Sequence, residues 1–286
     1  MKYSGLEIVS DALCIVGESP VWNSADGMLY CVDIQGKRIR KLDYSNGKTE
    51  DIVLSQQTGC IIPDENGGII GGMEDGVYQV LPNGDTFKIN KPFDMKGFRF
   101  NDGKAGPDGK LYIGTISRER QGALYCMDSD GNMNELLNGI GNSNGLDWDI
   151  EKNLMYFNDT PTFKTDVFDF ESGKISNRRN IFEYKSTQNP DGMTMDEDGM
   201  LWVCLWGEGK VVRLNPDTKE ITDTVLLPVP NAACCIFGGD NLNELIITTA
   251  SHFTDLRVYP LAGSVFKIKL PYKGRLPYKF RGGYAK

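Results

Sequence analysis

The chain has 286 residues, 40% of them hydrophobic and 24% charged, which suits one soluble globular domain with a large core spanning residues 1–286. Its net charge of −8 disfavours nucleic acid and anionic membrane surfaces as partners, and no apolar run is long enough for a membrane-spanning helix. The opening MKYSGLEIVSDALC alternates apolar and polar residues and carries acids, unlike a secretory signal. The seven cysteines are odd in number and form no CxxC pair, and adjacent Cys234 and Cys235 could not easily bridge each other. Reduced thiols in a cytoplasmic protein are the simple expectation.

Helical periodicity is almost absent, and short β-rich runs alternate with Gly, Asp and Asn turns. In chain order, residues 17–34 (GESPVWNSADGMLYCVDI) read as a short strand, a polar turn and a stronger apolar strand, and RIRKLDY follows as a third. A weaker copy is GCIIPDENGGIIGGM at 59–73. Residues 101–116 (NDGKAGPDGKLYIGTI), 143–160 (SNGLDWDIEKNLMYFNDT) and 190–206 (PDGMTMDEDGMLWVCLW) repeat the first pattern, with third strands ALYCMD, VFDFES and VVRLNP. A second weak copy, CCIFGGDNLNELIITTA, occupies 234–250. Six copies at roughly 41 to 47 residues match the length of a four-stranded propeller blade. The expected fold is all-β, a six-bladed β-propeller around a central metal-binding channel; a β-sandwich is the alternative. LEIVS near the start and SVFKIKL near the end are expected to pair in one blade, closing the ring without an exposed edge. Trp22, Trp148 and Trp202 are expected in the blade core.

Equivalent positions in a propeller face the same channel. Aligned on Tyr30, Tyr112, Tyr156 and Trp202, the copies place Glu18, Asn101, Asn144 and Asp191 at the entrances of their first strands. The two weak copies offer Gly59 and either Cys234 or Cys235 there. Acids crowded into a narrow channel repel each other and lose hydration unless a cation offsets both costs. Carboxylate and amide oxygens are hard ligands, so the expectation is one divalent metal ion, with Ca2+ the first choice and Mg2+, Mn2+ or Zn2+ also compatible. The competing reading makes the same residues strand-entry turns, since Asn-Gly and Asp-Gly are common turn dipeptides.

At these residues the sequence resembles the family that groups senescence marker protein (regucalcin), gluconolactonases and luciferin-regenerating enzyme. GESPVW, RFNDGK, SNGLDWD, GKISNRR and PDGM all match its pattern, and the resemblance runs from Gly17 into Phe266. It implies a six-bladed propeller with one divalent metal, ligated by Glu18, Asn144 and Asp191. It further implies substrate contacts from Arg99, Asn101 and Glu119, with Asp102 as a second contact beside Asn101. Asn101 thereby moves from the repeat-derived metal cluster to the substrate. The chain departs from the animal members after GTISRE, where a longer loop is missing and Arg118 and Arg120 flank Glu119. Alternation along a strand would turn both arginines away from the substrate, whereas a tight turn would aim one into the mouth.

The implied activity is hydrolysis of a small sugar lactone, with the metal polarising the carbonyl and activating water and Asp191 as candidate base or as ligand only. The competing functions are a non-catalytic calcium-binding regulatory protein, a metal-dependent phosphotriesterase, and a scaffold for protein partners. A two-histidine dyad is excluded by count, because His252 is the single histidine. No GxSxG elbow precedes it either, and a rim position is expected. Cys235 is a weak candidate for a soft ligand. The sequence leaves the choice of lactone and the oligomeric state open.

Overall fold

The computed structural model describes residues 5–117 and 119–282. Strand β1 (Glu7–Ser10) precedes the first blade, which is built from β2 (Gly17–Asn23), β3 (Met28–Asp33), β4 (Arg38–Asp43) and β5 (Thr49–Val53). The second blade holds β6 (Thr58–Pro63), β7 (Ile69–Met73), β8 (Val77–Val80) and β9 (Thr86–Asn90). The third holds β10 (Arg99–Ala105), β11 (Leu111–Ile116), β12 (Gly122–Met127) and β13 (Met133–Ile140). The fourth holds β14 (Ser143–Asp149), β15 (Leu154–Asp159), β16 (Lys164–Glu171) and β17 (Lys174–Glu183). The fifth holds β18 (Asn189–Met195), β19 (Leu201–Trp206), β20 (Lys210–Asn215) and β21 (Glu220–Leu226). The sixth holds β22 (Ala232–Gly238), β23 (Glu244–Thr249) and β24 (Val265–Lys269), and β1 supplies its outermost strand.

These are six four-stranded sheets in a ring, the six-bladed propeller expected from the repeat. The ring closes as expected, with Glu7 opposite Lys267 and Ile8 opposite Phe266. A single 3-10 turn (Thr160–Thr162) is the only helical element among the described residues, and no helix is long and apolar enough to cross a membrane.

The second strand of each blade explains why that part of the repeat is so legible. Side chains alternate faces along a strand, and here both faces pack against a neighbouring blade. In β11, Leu111 and Ile113 join the core between the second and third blades, while Tyr112 joins the core between the third and fourth. In β19, Leu201, Val203 and Leu205 face the fourth blade, while Trp202 and Cys204 face the sixth. Trp22, Trp148 and Trp202 are all buried in such interfaces. The seven cysteines are buried and unpaired.

One feature is not signalled by the repeat. After β24 the chain leaves the ring and crosses its underside. Gly274 bridges to Asp196 of the fifth blade and Phe280 to Asp64 of the second. Arg275 donates to the carbonyl of Trp148 at 3.0 Å, and Phe280 is fully buried in the core between the second and third blades. This tail closes one end of the channel. Phe280→Ala should therefore cost about 3–5 kcal/mol in urea-induced unfolding of the whole domain. A loss below about 1 kcal/mol would show that the tail lies outside the cooperative unit.

Candidate functional site

Every innermost strand loses its pairing register near one end. The irregularity falls between Glu18 and Val21, Thr58 and Cys60, Phe100 and Gly103, Ser143 and Leu146, Pro190 and Met193, and Ala232 and Cys234. Such a bulge re-aims the side chain it carries. The register beyond the bulge fixes the equivalences: Val21, Lys104, Asp147 and Thr194 face Tyr30, Tyr112, Tyr156 and Trp202. Three residues earlier stand Glu18, Asn101, Asn144 and Asp191, the phase read from the sequence. Asn144-Gly145 and Asp191-Gly192 are thus strand residues, not turns. Their glycines let the strands crowd together: a Cβ on Gly145 would lie 2.6 Å from the Asp191 carbonyl oxygen.

The sixth blade corrects one expectation. Ile236 faces Ile246 there, so the equivalent position is Ala233, neither Cys234 nor Cys235. Cys235 points into the blade core and donates its thiol to the Trp202 carbonyl at 3.4 Å. Cys234 is the cysteine that reaches Glu18.

Glu18, Arg99, Asn101, Asn144 and Asp191 line one cleft of about 380 Å³ at the open end of the channel. A chain of hydrogen bonds ties three blades together beneath it. Arg99 donates to Asn101 Oδ1 at 2.5 Å, and Asn101 Nδ2 donates to Asn144 Oδ1 at 2.9 Å. Asn144 Nδ2 donates to Thr160 Oγ1 at 2.7 Å, and Thr160 donates onward to the Pro190 carbonyl at 2.8 Å. Because the Thr160 hydroxyl spends its proton on Pro190, it must accept from Asn144. The amide is therefore fixed with its oxygen away from Thr160, leaving a lone pair beyond the bond from Asn101. Asn158 holds the backbone of Asp191 through its carbonyl at 2.8 Å. Ser19 sits at φ 46°, a left-handed conformation within the bulge, and its N–H donates to Glu18 at 3.1 Å.

The acids here lack sufficient counter-charge. Burial and the nearby Asp102 push the Glu18 carboxyl from an ordinary 4.5 up to about 8. Burial, Glu18 and Asp102 push Asp191 well above the usual carboxylate range. Burial lowers the Arg99 guanidinium, although Glu18 and Asp191 act to raise it. Among the described residues no three His, Cys, Asp or Glu side chains cluster as metal ligands. The oxygen set at this position is two carboxylates and one amide, which suits a hard divalent cation with open positions left for other oxygens.

The remaining expected residues lie elsewhere. Asp102 is buried on the far side of Asn101 and lines a small cavity of about 60 Å³ with Lys104 and Asp147. Lys104 donates there to Asp147 at 3.2 Å and to the Met193 carbonyl at 2.7 Å. Glu119 is exposed, accepts from Gln121 at 3.1 Å, and is not among the residues lining the cleft. Its turn is tight, with Arg120 N–H donating to the Ser117 carbonyl at 3.3 Å and Arg120 at φ 54°. Arg120 is neither a free solvated charge nor a mouth guanidinium; it pairs with buried Asp159 at 3.0 Å. Arg118 lies outside the described residues. Sequence reasoning missed Gln35, Thr160 and Trp206, which line the cleft with His252. All four sit at the exits of second strands, so the phase of those exits was the available signal. His252, expected at the rim, stands 3.4 Å from the Gln35 amide nitrogen.

A carboxyl whose folded pKa exceeds its unfolded value is penalised as it ionises in the folded chain. Chelated protein should therefore lose thermal stability as pH rises from about 4.5 through about 8. Added Ca2+ should raise the Tm more at pH 8.5 than at pH 5.5, because protons compete for the same oxygens. A cation effect that is absent, or larger at the lower pH, would refute an ion held by these carboxylates.

Residues 16–251 match the SMP-30/Gluconolactonase/LRE-like region. The chain is 36% identical over 284 residues to "Putative sugar lactone lactonase YvrE" of Bacillus subtilis (strain 168), covering 96% of this chain and 97% of that one. It is 33% identical over 294 residues to regucalcin of Homo sapiens, with 97% and 98% covered. A solved luciferin-regenerating enzyme superposes with a TM-score of 0.90 at 27% identity, over 97% of this chain and 99% of that one. With the propeller, the bulged inner strands and these matches across nearly its whole length, the chain belongs to the SMP-30/gluconolactonase/LRE-like family.

Proposed function

We propose that this protein is a metal-dependent hydrolase of small sugar lactones, acting at the open end of the channel. One observation carries the reading: Glu18, Asn144 and Asp191 bring two under-compensated carboxylates and one oriented amide oxygen to a cleft that also holds Arg99 and Asn101. The name of the Bacillus relative points to the same substrate class. A divalent ion on those three oxygens would supply Lewis-acid polarisation of the lactone carbonyl and a lowered pKa for water.

The chain's own residues account for the rest. The Asp191 carboxylate receives the proton of the attacking water and returns it to the alkoxide released on ring opening. Arg99 has bonding capacity beyond its contacts to Phe100 and Asn101, so its guanidinium is free to take hydroxyl or carbonyl oxygens of the ring. Asn101 fixes both Arg99 and Asn144 and so couples substrate orientation to the metal ligand. Trp206 offers an apolar wall for the ring face. Asp102 acts from below through its field on Glu18 and Asp191. Glu119, on its exposed turn, contacts only the part of a substrate that projects from the mouth.

The test is hydrolysis of a panel of aldonolactones and one aryl phosphotriester, with Ca2+, Mg2+, Mn2+, Zn2+ or chelator. Lactone turnover that requires a divalent ion is expected. Metal binding without turnover would favour a calcium-binding regulator, and preference for the phosphotriester would favour that chemistry. Asp191→Asn should nearly abolish turnover while the fold survives. Arg99→Ala and Asn101→Ala should lower kcat/KM by roughly 10- to 1,000-fold, about 1.4 to 4 kcal/mol, with Arg99→Ala keeping its metal affinity. Glu119→Gln should change KM and leave kcat in place; a collapse of kcat would bring Glu119 back into the reacting site.

A further inference from the structure

The second and fifth blades share one turn between their first two strands: Asp64-Glu65-Asn66-Gly67-Gly68 and Asp196-Glu197-Asp198-Gly199-Met200. In both, Oδ1 of the leading aspartate accepts backbone N–H groups two and four residues on. The distances are 2.8 and 2.8 Å at Asp64, and 3.1 and 3.0 Å at Asp196. The two blades differ in what the other oxygen does. Asp196 Oδ2 accepts from Trp202 Nε1 at 2.9 Å and from Arg213 Nε at 2.8 Å. The same guanidinium reaches Asp198 at 2.8 Å and lies over the Tyr272 ring at 3.7 Å.

The second blade keeps the aspartate and lacks its partners. Ile70 faces Gln79 across the sheet where Trp202 faces Arg213. Asp64, fully buried, is left with Oδ2 unpartnered, and buried Gln79 has an unpartnered Oε1. Both side chains line a cleft of about 420 Å³ between the first and second blades, together with Tyr30 and Asn66. Gly68 keeps it open: a Cβ there would lie 2.5 Å from Asp64 Oδ2. Lys41, also on its wall, stands over the Tyr30 ring at 5.9 Å and makes no ion pair with Asp64 among the described residues. Buried acceptors are rarely left without donors, and a buried carboxylate is costly without a cationic or hydrogen-bonding partner. Asp64 follows β6 at the end opposite Gly59, so this cleft lies away from the channel mouth.

We propose that this cleft is a second ligand site, for a small molecule carrying a guanidinium group. The guanidinium takes the place that Arg213 fills in the fifth blade. It donates paired hydrogen bonds to Asp64 and a further one to Gln79, and Tyr30, with Lys41 over its ring, forms the facing wall of the cleft.

The test is calorimetric titration of the full-length protein with agmatine and arginine, with citrulline as the uncharged isostere. Saturable binding of both guanidinium probes with a Kd below about 1 mM, and at least about tenfold weaker binding of citrulline, is expected. Gly68→Ala should abolish it by filling the cradle. Gln79→Arg should abolish it too, and should raise the Tm by completing the arrangement of the fifth blade. Glu18→Gln should leave binding unchanged; loss in that variant would assign the probe to the acids of the channel and overturn the proposal. No saturable heat, equal binding of citrulline, or binding that survives both Gly68→Ala and Gln79→Arg would show that the cleft holds solvent only.

Discussion

Six innermost strands must pass side by side around one axis, and that close approach governs the rest of the structure. The strands meet through backbone at the bulges: a Cβ on Gly59 would lie 2.3 Å from the Phe100 carbonyl oxygen, and one on Gly192 would lie 2.3 Å from the Cys234 sulfur. Small residues in this phase are what allow the ring to close. The same bulges turn Glu18, Asn101, Asn144 and Asp191 inward, so the geometry that closes the ring also builds the cleft. Ser19 links its blade to the next at the same level, donating to the Ile61 carbonyl at 3.2 Å and accepting from the Ile61 N–H at 2.9 Å.

The channel that results is electrostatically graded. At its open end the carboxyl of Glu18 is raised by burial and by Asp102, and that of Asp191 by burial, Glu18 and Asp102. One level down, Lys104 bonds Asp147 and the Met193 carbonyl, an internal cation that balances the deeper acids. Asp102 lies between these levels with one carboxylate oxygen unpartnered. Below, the C-terminal tail closes the floor with Arg275, Pro277 and Tyr278. A ligand therefore enters from one side only, and Arg99, itself lowered by burial, offsets the upper pair without returning it to the usual carboxylate range. That division leaves the upper pair raised while Asp147 beneath it has its own cation in Lys104.

Particular residues show where sequence reasoning held and where it stopped. The second strands were plain because both of their faces are buried, which makes runs such as LWVCLW continuously apolar. The fourth strands of the first and fourth blades escaped notice because they are the outer edges of their blades: TEDIV and KISNRRNIFE are largely exposed and carry no apolar period. The phase of Glu18, Asn144 and Asp191 was readable because each blade repeats one register. The sixth blade misled because its bulge puts Ala233 at the position where two cysteines drew attention. Glu119 was carried over from a resemblance, and the short turn around it leaves it exposed, with its neighbour Arg120 drawn off to Asp159.

The sequence by itself determined the blade count, the closure by its first and last strands, and the ring of oxygen-bearing residues. All three follow from periodicity, and a repeat of strand and turn imposes the same geometry on every copy. Only the tertiary structure decided which of those residues face one another, that the tail shuts the lower end, and that Thr160 sets the orientation of the Asn144 amide. The empty partner positions around Asp64 belong to the same class, because they appear only when one blade is laid against another. These features rest on contacts between segments far apart in the chain, where distance and hydrogen-bond direction decide the outcome and local pattern carries no record of either.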